Sequence, residues 1–412
     1  MSVDFLQVLK EREILAQVTH EEELSEHLKE KPRSAYVGYD PTADSLHVGH
    51  LIPTLVMRRW QKAGHRAVII LGGGTSQVGD PSGKTDMRKM LDDSDRQQNI
   101  ERFKGQLSRY IDFSTPDKGV ILDNAEWLER LEYLPFLREI GRHFSVNRML
   151  TAECFKQRLE KGLTFLEFNY MLLQSYDYLH LYKEEGVTVQ LGGDDQWSNI
   201  LSGMELVRRV TSGKAFCVTV PLLTKADGTK MGKTEGGAIW LDPAKTPPFD
   251  FFQYWRNVED ASVKKCLNML TDVEPAEVAE LSSLEGAKIN EAKIRLAYEV
   301  TALVHGEQEA KKAKEAAGSL YSAGGGASLD VPEVEIEMLG DLQVPDFLVL
   351  SGIAPSKKEA RRLVEGGGIQ LGESKVLDVK ALVSPGQVEN ETGLLVKKGK
   401  KNFYLVRAKK KT

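Results

Sequence analysis

Apolar residues fall along this chain in two rhythms. Residues 34–39 (SAYVGY) and 66–71 (RAVIIL) are short, nearly continuous apolar runs, each followed by glycine and then by a helical pattern. Buried strands alternating with helices are the expected result, as in a parallel α/β sheet. A third unit, VTVQLGGDDQWSNILSGMELVRRV, repeats the order strand, double glycine, amphipathic helix. Between the second and third units, residues 92–185 carry largely helical periodicity, and residues 247–317 read as another helical stretch with few strand signals. The segment AGGGASLDVPEVEIE reads as a linker of small residues ahead of an acidic extended stretch. Open sheets of this kind bind ligands at the carboxyl ends of their strands, so the glycine turns are where chemistry is expected.

Size and composition narrow the class. A chain of 412 residues exceeds what one hydrophobic core serves, so two or three domains are expected. The apolar fraction of 41% and charged fraction of 28% are those of a globular protein. No apolar run approaches the roughly 20 residues of a membrane-spanning helix. The start, MSVDFLQVLKEREILAQ, lacks the basic and apolar regions of a signal peptide, so a cytoplasmic, membrane-free protein is expected. Cys154, Cys217 and Cys266 are far apart and in no CxxC pattern, which implies neither a disulfide frame nor a zinc site. The net charge of −5 conceals an asymmetry: from Pro345 onward there are 14 Lys/Arg against 7 Asp/Glu, leaving 41 against 53 before it. A basic module behind an acidic body suits a protein whose end meets a polyanion, although a solvated lysine tail accounts for the last residues, RAKKKT.

Four polar clusters interrupt the apolar frame. HVGH pairs His47 with His50; a metal would need a third ligand cluster, and none accompanies the pair. Packing or capping competes there with contact to an anion, which Gly49 favours by letting a ligand approach free amides. GGGTSQVGDPSGKTDMR suggests a phosphate loop but fails its spacing, because Asp80 and Pro81 follow Gly79 where lysine is needed. It leaves Asp80, with Lys84 and Arg88 four apart on one helical face or simply solvated. The apolar helix FLEFNYMLLQSYDYLHLY carries Tyr170, Gln174 and Asp177 within about 60° of one another. Such a stripe is costly to bury unless each group bonds to protein or to a ligand, and spacing favours neither. Finally, LLTKADGTKMGKTEGG has no apolar face and predicts a mobile loop able to swing Lys230, Lys233 and Thr234 onto a polyphosphate, or else a plain linker.

In this order the clusters resemble the class I aminoacyl-tRNA synthetases, and among them the bacterial tyrosine-specific branch. HVGH is similar to the HIGH motif with Val48 for isoleucine, and KMGKT to the KMSKS motif with Gly232 and Thr234 for the serines. The surrounding YDPTADSLHVGHL, GDPSGK, LLQSYDYLHLY and GGDDQWSNI are more specific than either. The resemblance implies a Rossmann-like parallel-sheet α/β catalytic domain with a helical insertion and dimer interface at 1–224, the KMSKS-like loop at 225–246, a helical anticodon-arm domain at 247–322, a linker at 323–342 and a small α+β S4-like RNA-binding domain at 343–412. It further implies a homodimer meeting around residues 120–165.

Carried over position by position, Tyr36 and Asp177 would bind a phenolic hydroxyl, and Asp80, Tyr170 and Gln174 an ammonium group. Gln190, Asp195 and Gln196 would lie near the amino acid and the ribose. Gly38, Asp40, Gly49 and His50 would line the nucleotide site, and Thr42, His47, Lys84, Arg88, Lys230, Lys233 and Thr234 would meet the phosphates. The implied reaction is activation of L-tyrosine by ATP, with Mg2+ carried on the phosphates and no tightly bound protein metal site, then transfer to tRNA(Tyr). In SKKEARRLVEGGGIQLGESKV a capping box from Ser356 to Glu359 opens a helix whose Lys357, Lys358, Arg361 and Arg362 suit phosphates. Departures are Val37, where relatives often carry cysteine, Pro53, and Asp194, which could cap the following helix. A tryptophan-specific relative, a catalytically silent RNA-binding derivative and a P-loop NTPase are the competing readings.

Overall fold

The apolar runs at 34–39 and 66–71 are neighbouring parallel strands of a six-stranded sheet. The computed structural model describes residues 4–82, 91–225, 228–234, 237–322, 333–338, 340–372, 374–389, 393–399 and 402–409. It divides into two compact units, Met1–Lys245 with Glu259–Leu284, and Thr246–Val258 with Glu285–Thr412. In the first unit the strands are β1 (Gln17–Val18), β2 (Ser34–Tyr39), β3 (Arg66–Leu71), β4 (Gly119–Asp123), β5 (Val187–Gly193) and β6 (Phe216–Val220). Their order is β1-β6-β5-β2-β3-β4, all parallel except the short β1, which runs antiparallel to β6. The neighbours β2 and β5 are not consecutive in the chain, so the sheet changes direction there and opens a crevice at the strand ends.

Residues 92–185 are not helical throughout, because β4 interrupts them. The run GVILD is too short to distinguish strand from helix by period, and pairing with β3 from Ala67↔Gly119 to Leu71↔Asp123 decides the matter. Around it lie α1 (Phe5–Glu11), α2 (Glu21–Glu30), α3 (Val48–Lys62), α4 (Asp93–Leu107), α5 (Ala125–Leu128), α6 (Tyr133–Glu139), α7 (Val146–Leu150), α8 (Glu153–Lys161), α9 (Phe165–Phe168), α10 (Tyr170–Glu184) and α11 (Trp197–Thr211). Strand alternation sends Tyr36, Val68 and Ile70 into a core shared with Tyr178 and Leu179 of α10 and Val207 of α11. Helix α3 packs against β2, β3 and β5.

The stretch expected to be a mobile loop has local order in its described part. Thr224 bridges Lys230, and β7 (Lys233–Thr234) pairs antiparallel with β8 (Gly237–Ala238). After α12 (Pro248–Arg256), a member of the second unit, the chain returns to the first through α13 (Val263–Leu270) and α14 (Pro275–Ser282).

In the second unit α12 packs with α15 (Ile289–His305) and α16 (Glu307–Ser322). The remaining elements are β9 (Glu333–Ile336), β10 (Leu342–Gln343), α17 (Val344–Leu350), α18 (Lys357–Glu365), β11 (Ile369–Leu371), β12 (Ser374–Val376), β13 (Leu382–Val383), α19 (Pro385–Glu389), β14 (Leu394–Lys398) and β15 (Asn402–Ala408). Five of the strands form a sheet in the order β12-β11-β14-β15-β9, over a core that includes Phe347, Val364, Val396 and Val406. Ser356 caps α18 by accepting from the Glu359 amide at 3.3 Å, which is the first half of the expected capping box, while the Glu359 carboxylate pairs with Arg362.

Two buried arginines fasten α13 to the sheet unit. Arg59 of α3 donates to the Met269 and Thr271 carbonyls at 3.1 and 2.9 Å, and Arg12 to those of Thr271 and Val273 at 3.1 and 3.0 Å. The last carbonyls of a helix have no partner within it and carry its negative end, so guanidinium groups satisfy them in bond and in charge. Burial, with Arg12 close by, lowers the Arg59 pKa to about 10, which still leaves it charged. Replacing Arg59 by methionine strands the Met269 carbonyl and leaves that of Thr271 with Arg12 alone. The Arg59→Met variant should therefore lose about 2–3 kcal/mol of stability, read as a lower first unfolding transition in calorimetry; an unchanged transition would contradict the clamp.

Candidate active site

The crevice beyond β2 and β5 collects side chains from six separate segments. Tyr36 and Gly38 come from β2 and Asp40 from the turn after it; His47, Gly49 and His50 from the start of α3; Asp80 from the turn after β3. Tyr170, Gln174 and Asp177 come from α10, Gln190 from β5, Asp195 and Gln196 from the turn that follows, and Lys230 from the lysine loop. Thr42 is not among the lining residues; its amide donates to the Asp40 carbonyl at 2.8 Å. Lys84 and Arg88 lie outside the described residues, as do the side chains of Lys233 and Thr234. Among the described residues no group of three or more His, Cys, Asp or Glu is arranged to hold a metal ion.

The histidine pair caps a helix while it faces the crevice. His47 is the residue before the first turn of α3, and its Nδ1 accepts from the Gly49 amide at 3.0 Å. His50 Nδ1 reaches back to the His47 amide at 3.3 Å, and the two rings stack with centroids 3.9 Å apart. The two amides are thus satisfied reciprocally, as in a capping box built from imidazoles. Both rings are held rigidly at the positive end of a helix, where anionic groups are stabilised. Pro53, in the same helix, cannot donate to the Gly49 carbonyl and also lines the crevice.

Asp177 anchors the inner end. Only 3% exposed, its carboxylate accepts from Asn124 Nδ2 at 2.9 Å and Trp127 Nε1 at 2.7 Å. Burial raises its pKa to about 7 despite these donors, with Asp40 and Asp123 adding to the rise. From Asn124 a chain of hydrogen bonds crosses the strand ends: Nδ2 to Thr75 Oγ1 at 3.0 Å, Thr75 Oγ1 to Asp40 Oδ1 at 2.9 Å, and Tyr170 hydroxyl to Asp40 Oδ2 at 3.2 Å. The buried Tyr36 hydroxyl, Gln174 Oε1 and Gln190 Oε1 make no hydrogen bond to protein. Leaving each unpaired costs about 1–3 kcal/mol, and all three belong to residues lining the crevice. Asn124, Trp127 and Thr75 were missed in the sequence. The signal for the first two was the unrecognised strand β4, whose end supplies Asn124 and Trp127 as GVILDN is followed by AEW.

The glycine run after β3 serves protein carboxylates and an amide. A side chain on Gly72 would strike Asp40 Oδ1 at 2.2 Å, one on Gly73 would strike Asp123 Oδ1 at 2.2 Å, and one on Gly74 would strike Leu128 at 3.0 Å. The Gly73 and Gly74 amides donate to Asp123 Oδ1 and Asn124 Oδ1 at 3.1 and 2.8 Å. These donors are in use, consistent with the failed P-loop spacing. Asp80 accepts from Gln196 Nε2 at 2.8 Å, tying the second strand-end turn to the third. Asp194 does not cap the following helix; its carboxylate accepts from Gln17 at 2.6 Å and Thr219 at 3.1 Å, facing β1 and β6.

HVGH and KMGKT meet directly. The Val48 amide donates to the Ile239 carbonyl at 3.0 Å, and the Ile239 amide to the Gly232 carbonyl at 2.8 Å. Gly232 adopts φ +85°, and a Cβ there would fall 2.3 Å from Val48 Cγ2. Glycine is therefore demanded both by its backbone angle and by the valine of the other motif. Lys230 Nζ lies 2.9 Å from Asp195 Oδ2 across the mouth. On α18, Lys358 and Arg361 are exposed, while Lys357 pairs with Asp346 and Arg362 with Glu359.

The family of tRNA synthetases class I (W and Y) matches residues 28–322, and a tyrosine–tRNA ligase SYY-like C-terminal domain matches residues 326–406. A curated tyrosine–tRNA ligase of Clostridium botulinum is 55% identical over 398 residues, 96% of this chain and 97% of its own. That of Clostridium tetani is 54% identical over 405 residues, 98% of each. Among solved structures, a C-terminally truncated mitochondrial tyrosyl-tRNA synthetase of Aspergillus nidulans superposes with TM-score 0.68 at 29% identity, covering 77% of this chain and 94% of that one.

The raised pKa of Asp177 has a measurable consequence. Its carboxyl ionises near 3.8 in the unfolded chain and near 7 in the folded one, so the folded state holds the extra proton between those values. Stability from this group is complete below about pH 4 and is lost as pH rises through 7. Asp177→Asn should gain stability relative to the parent across that window, by up to roughly 4 kcal/mol. Thermal melts of the ligand-free proteins at pH 4 and pH 8 check this; equal differences at both would count against it.

Proposed function

Because the chain belongs to the class I tRNA synthetases of the tryptophan and tyrosine type, we propose that its crevice joins L-tyrosine to ATP and passes the tyrosyl group to tRNA(Tyr), as a tyrosine–tRNA ligase. The observation that carries the choice of amino acid is the buried Tyr36 hydroxyl, which meets no protein partner within reach of the Asp177 charge. A phenol donates to Asp177 and accepts from Tyr36, satisfying both. Indole or a bare phenyl ring leaves at least one group stranded. Rejection of phenylalanine by about 10⁵ through such stranded groups is the established general example from tyrosine-specific synthetases.

Asp80, Gln174 and the Tyr170 hydroxyl present oxygen acceptors of the kind an ammonium group needs. With the amino acid so held, its carboxylate faces the histidine end of the crevice. One carboxylate oxygen forms a bond to the α-phosphorus of ATP as the bond to the bridging oxygen of pyrophosphate breaks, giving the aminoacyl adenylate. Mg2+ enters on the phosphates of its substrate. The carboxylate is already ionised, so no base need remove a proton. The ribose hydroxyl of the tRNA end then bonds to the carbonyl carbon as the bond from that carbon to the phosphate oxygen breaks, and AMP leaves with its phosphate taking up the hydroxyl proton.

Charge builds on pyrophosphate as it departs, and cations that meet it more strongly then than in the ground state accelerate the step. Lys230 and Lys233 are proposed for this, together with Thr42, His47, Lys84, Arg88 and Thr234. His50, Gly38, Gly49, Asp40 and Asp195 are proposed for the nucleoside, with Gln190 and Gln196 between ribose and amino acid. A Cβ at Gly38 would meet nothing within 4 Å, so the glycine keeps open space on the crevice wall. The exposed cations Lys358 and Arg361, with Lys357 and Arg362, are proposed to meet tRNA phosphates. A cytoplasmic location is part of the proposal; none of the described helices is long and apolar enough to cross a membrane.

A second reading concerns assembly. Tyr133 (62% exposed), Leu134 (74%), Val146 (56%), Leu159 (41%) and Phe165 (68%) leave large apolar side chains in water along α6 to α9. A concentration of this kind is uncommon on a monomer. A second copy of the chain, joined symmetrically through this face, would cover it.

Two measurements test these readings. Exchange of labelled pyrophosphate into ATP should depend on tyrosine and not on tryptophan; Lys233→Ala should slow it by about 10²–10³ with tyrosine affinity nearly intact. Normal exchange with weakened tyrosine binding would refute the role. In sedimentation velocity at micromolar concentration the protein should run as a dimer and Leu134→Glu/Val146→Glu as a folded monomer. A monomeric parent would refute the interface.

A further inference from the structure

Helix α13 carries a lysine in an unusual setting. Its buried side puts Val263, Cys266, Leu267, Met269 and Leu270 into the core, and its end is fixed by Arg12 and Arg59. Lys264 pairs with Glu13 on the surface. Lys265 is half-buried, and its Nζ donates to Thr224 Oγ1 at 3.0 Å. No carboxylate among the described residues lies within ion-pair reach of Lys265, and burial lowers its pKa. An ammonium group on a flexible stem usually stays in water or finds an acid. Holding it half-buried on one neutral hydroxyl is costly, and stability alone does not explain the choice.

Thr224 is the root of the lysine loop. It bridges Lys230 across an antiparallel pair, flanked by bonds from the Met231 amide to the Leu223 carbonyl at 2.7 Å and from the Lys225 amide to the Thr229 carbonyl at 2.8 Å. Residues opposite one another in such a pair project their side chains to the same side. Lys265 therefore grips the hairpin on the side from which Lys230 reaches Asp195. Beyond Lys230, Met231 is buried and Gly232 rests on Val48. The loop is thus held at two points, at Thr224 by α13 and at Gly232 by α3, with Lys230 between them.

We propose that Lys265 is a positioning residue for the activation reaction: its bond to Thr224 fixes the root of the loop hairpin so that Lys230 and Lys233 reach the departing pyrophosphate. The proposal rests on the function assigned above to those two lysines. Lys265 itself is not among the residues that line the crevice. Because the bond is made to a rigid, arginine-clamped helix, it limits how far the hairpin rotates about its root, and small misplacements of a charge at a reacting centre are costly in rate.

Tyrosine-dependent pyrophosphate exchange on the full chain tests this with three variants. Lys265→Met, which keeps the stem, should lower kcat on the order of ten-fold with the KM for tyrosine unchanged, and Lys265→Arg should restore most of it. Thr224→Val removes the acceptor without altering α13 and should match Lys265→Met, while the double variant should be no slower than either single one. A kcat like the parent's for Lys265→Met, or single effects that multiply in the double variant, overturns the proposal. A drop confined to Lys265→Met that tracks a lower melting temperature, with Thr224→Val normal, overturns it too. Lys230→Ala separates the layers: if it leaves exchange intact, the loop assignment has failed; if it slows exchange and Lys265→Met does not, only the positioning role has failed.

Discussion

A carboxylate removed from water has to be bonded on every side, and Asp177 imposes that demand on the whole crevice. Its donors, Asn124 and Trp127, follow the edge strand β4, while Asp177 itself sits on α10. Asn124 passes the connection to Thr75 after β3, and Thr75 to Asp40 after β2. The ends of three adjacent strands and the crevice-lining helix α10 are therefore one hydrogen-bonded unit. The triple glycine at Gly72–Gly74 belongs to the same unit, because only bare backbone lets Asp40 and Asp123 come so close. Buried polar chains of this kind are strong when complete and costly when any member is missing, which is why one end can be left open only where a ligand completes it.

The outer end of the crevice is governed by packing. Val48 and Gly232, two of the three positions at which the paired motifs depart from the family pattern, touch each other, and the positive φ of Gly232 lets the loop turn over the valine. The histidines beside them use Nδ1 to cap α3, so the ring orientation that faces the crevice is set by the helix before any ligand arrives. Capping, packing and contact with an anion were alternatives for this pair in the sequence, yet the first does not exclude the last. On the proposed function, the inner pocket would serve recognition and the loop the stabilisation of developing charge.

Much of this was legible in local spacing. The strands at 34–39 and 66–71, the inward stripe of Tyr170, Gln174 and Asp177, and the cap at Ser356 all follow from periodicity or from residues three or four apart, which one element suffices to interpret. Strand β4 was not legible, because a run as short as GVILD satisfies either period, and with it Asn124 and Trp127 were lost. Asp194 misled for a similar reason: next to a helix start it resembles a cap, whereas its partners are Gln17 and Thr219 on other strands.

By itself the amino-acid order determined the strands at 34–39 and 66–71, the cap at Ser356 and which polar groups of α10 face inward, since backbone geometry ties these to neighbours along the chain. Only the tertiary structure decided that Asn124, 53 residues away, would partner Asp177, that Lys265 would hold Thr224, and that Gly232 would close on Val48. Those contacts depend on the strand order β5-β2-β3-β4 and on how helices cross it. Spacing along one chain carries no record of which distant segments a sheet brings side by side.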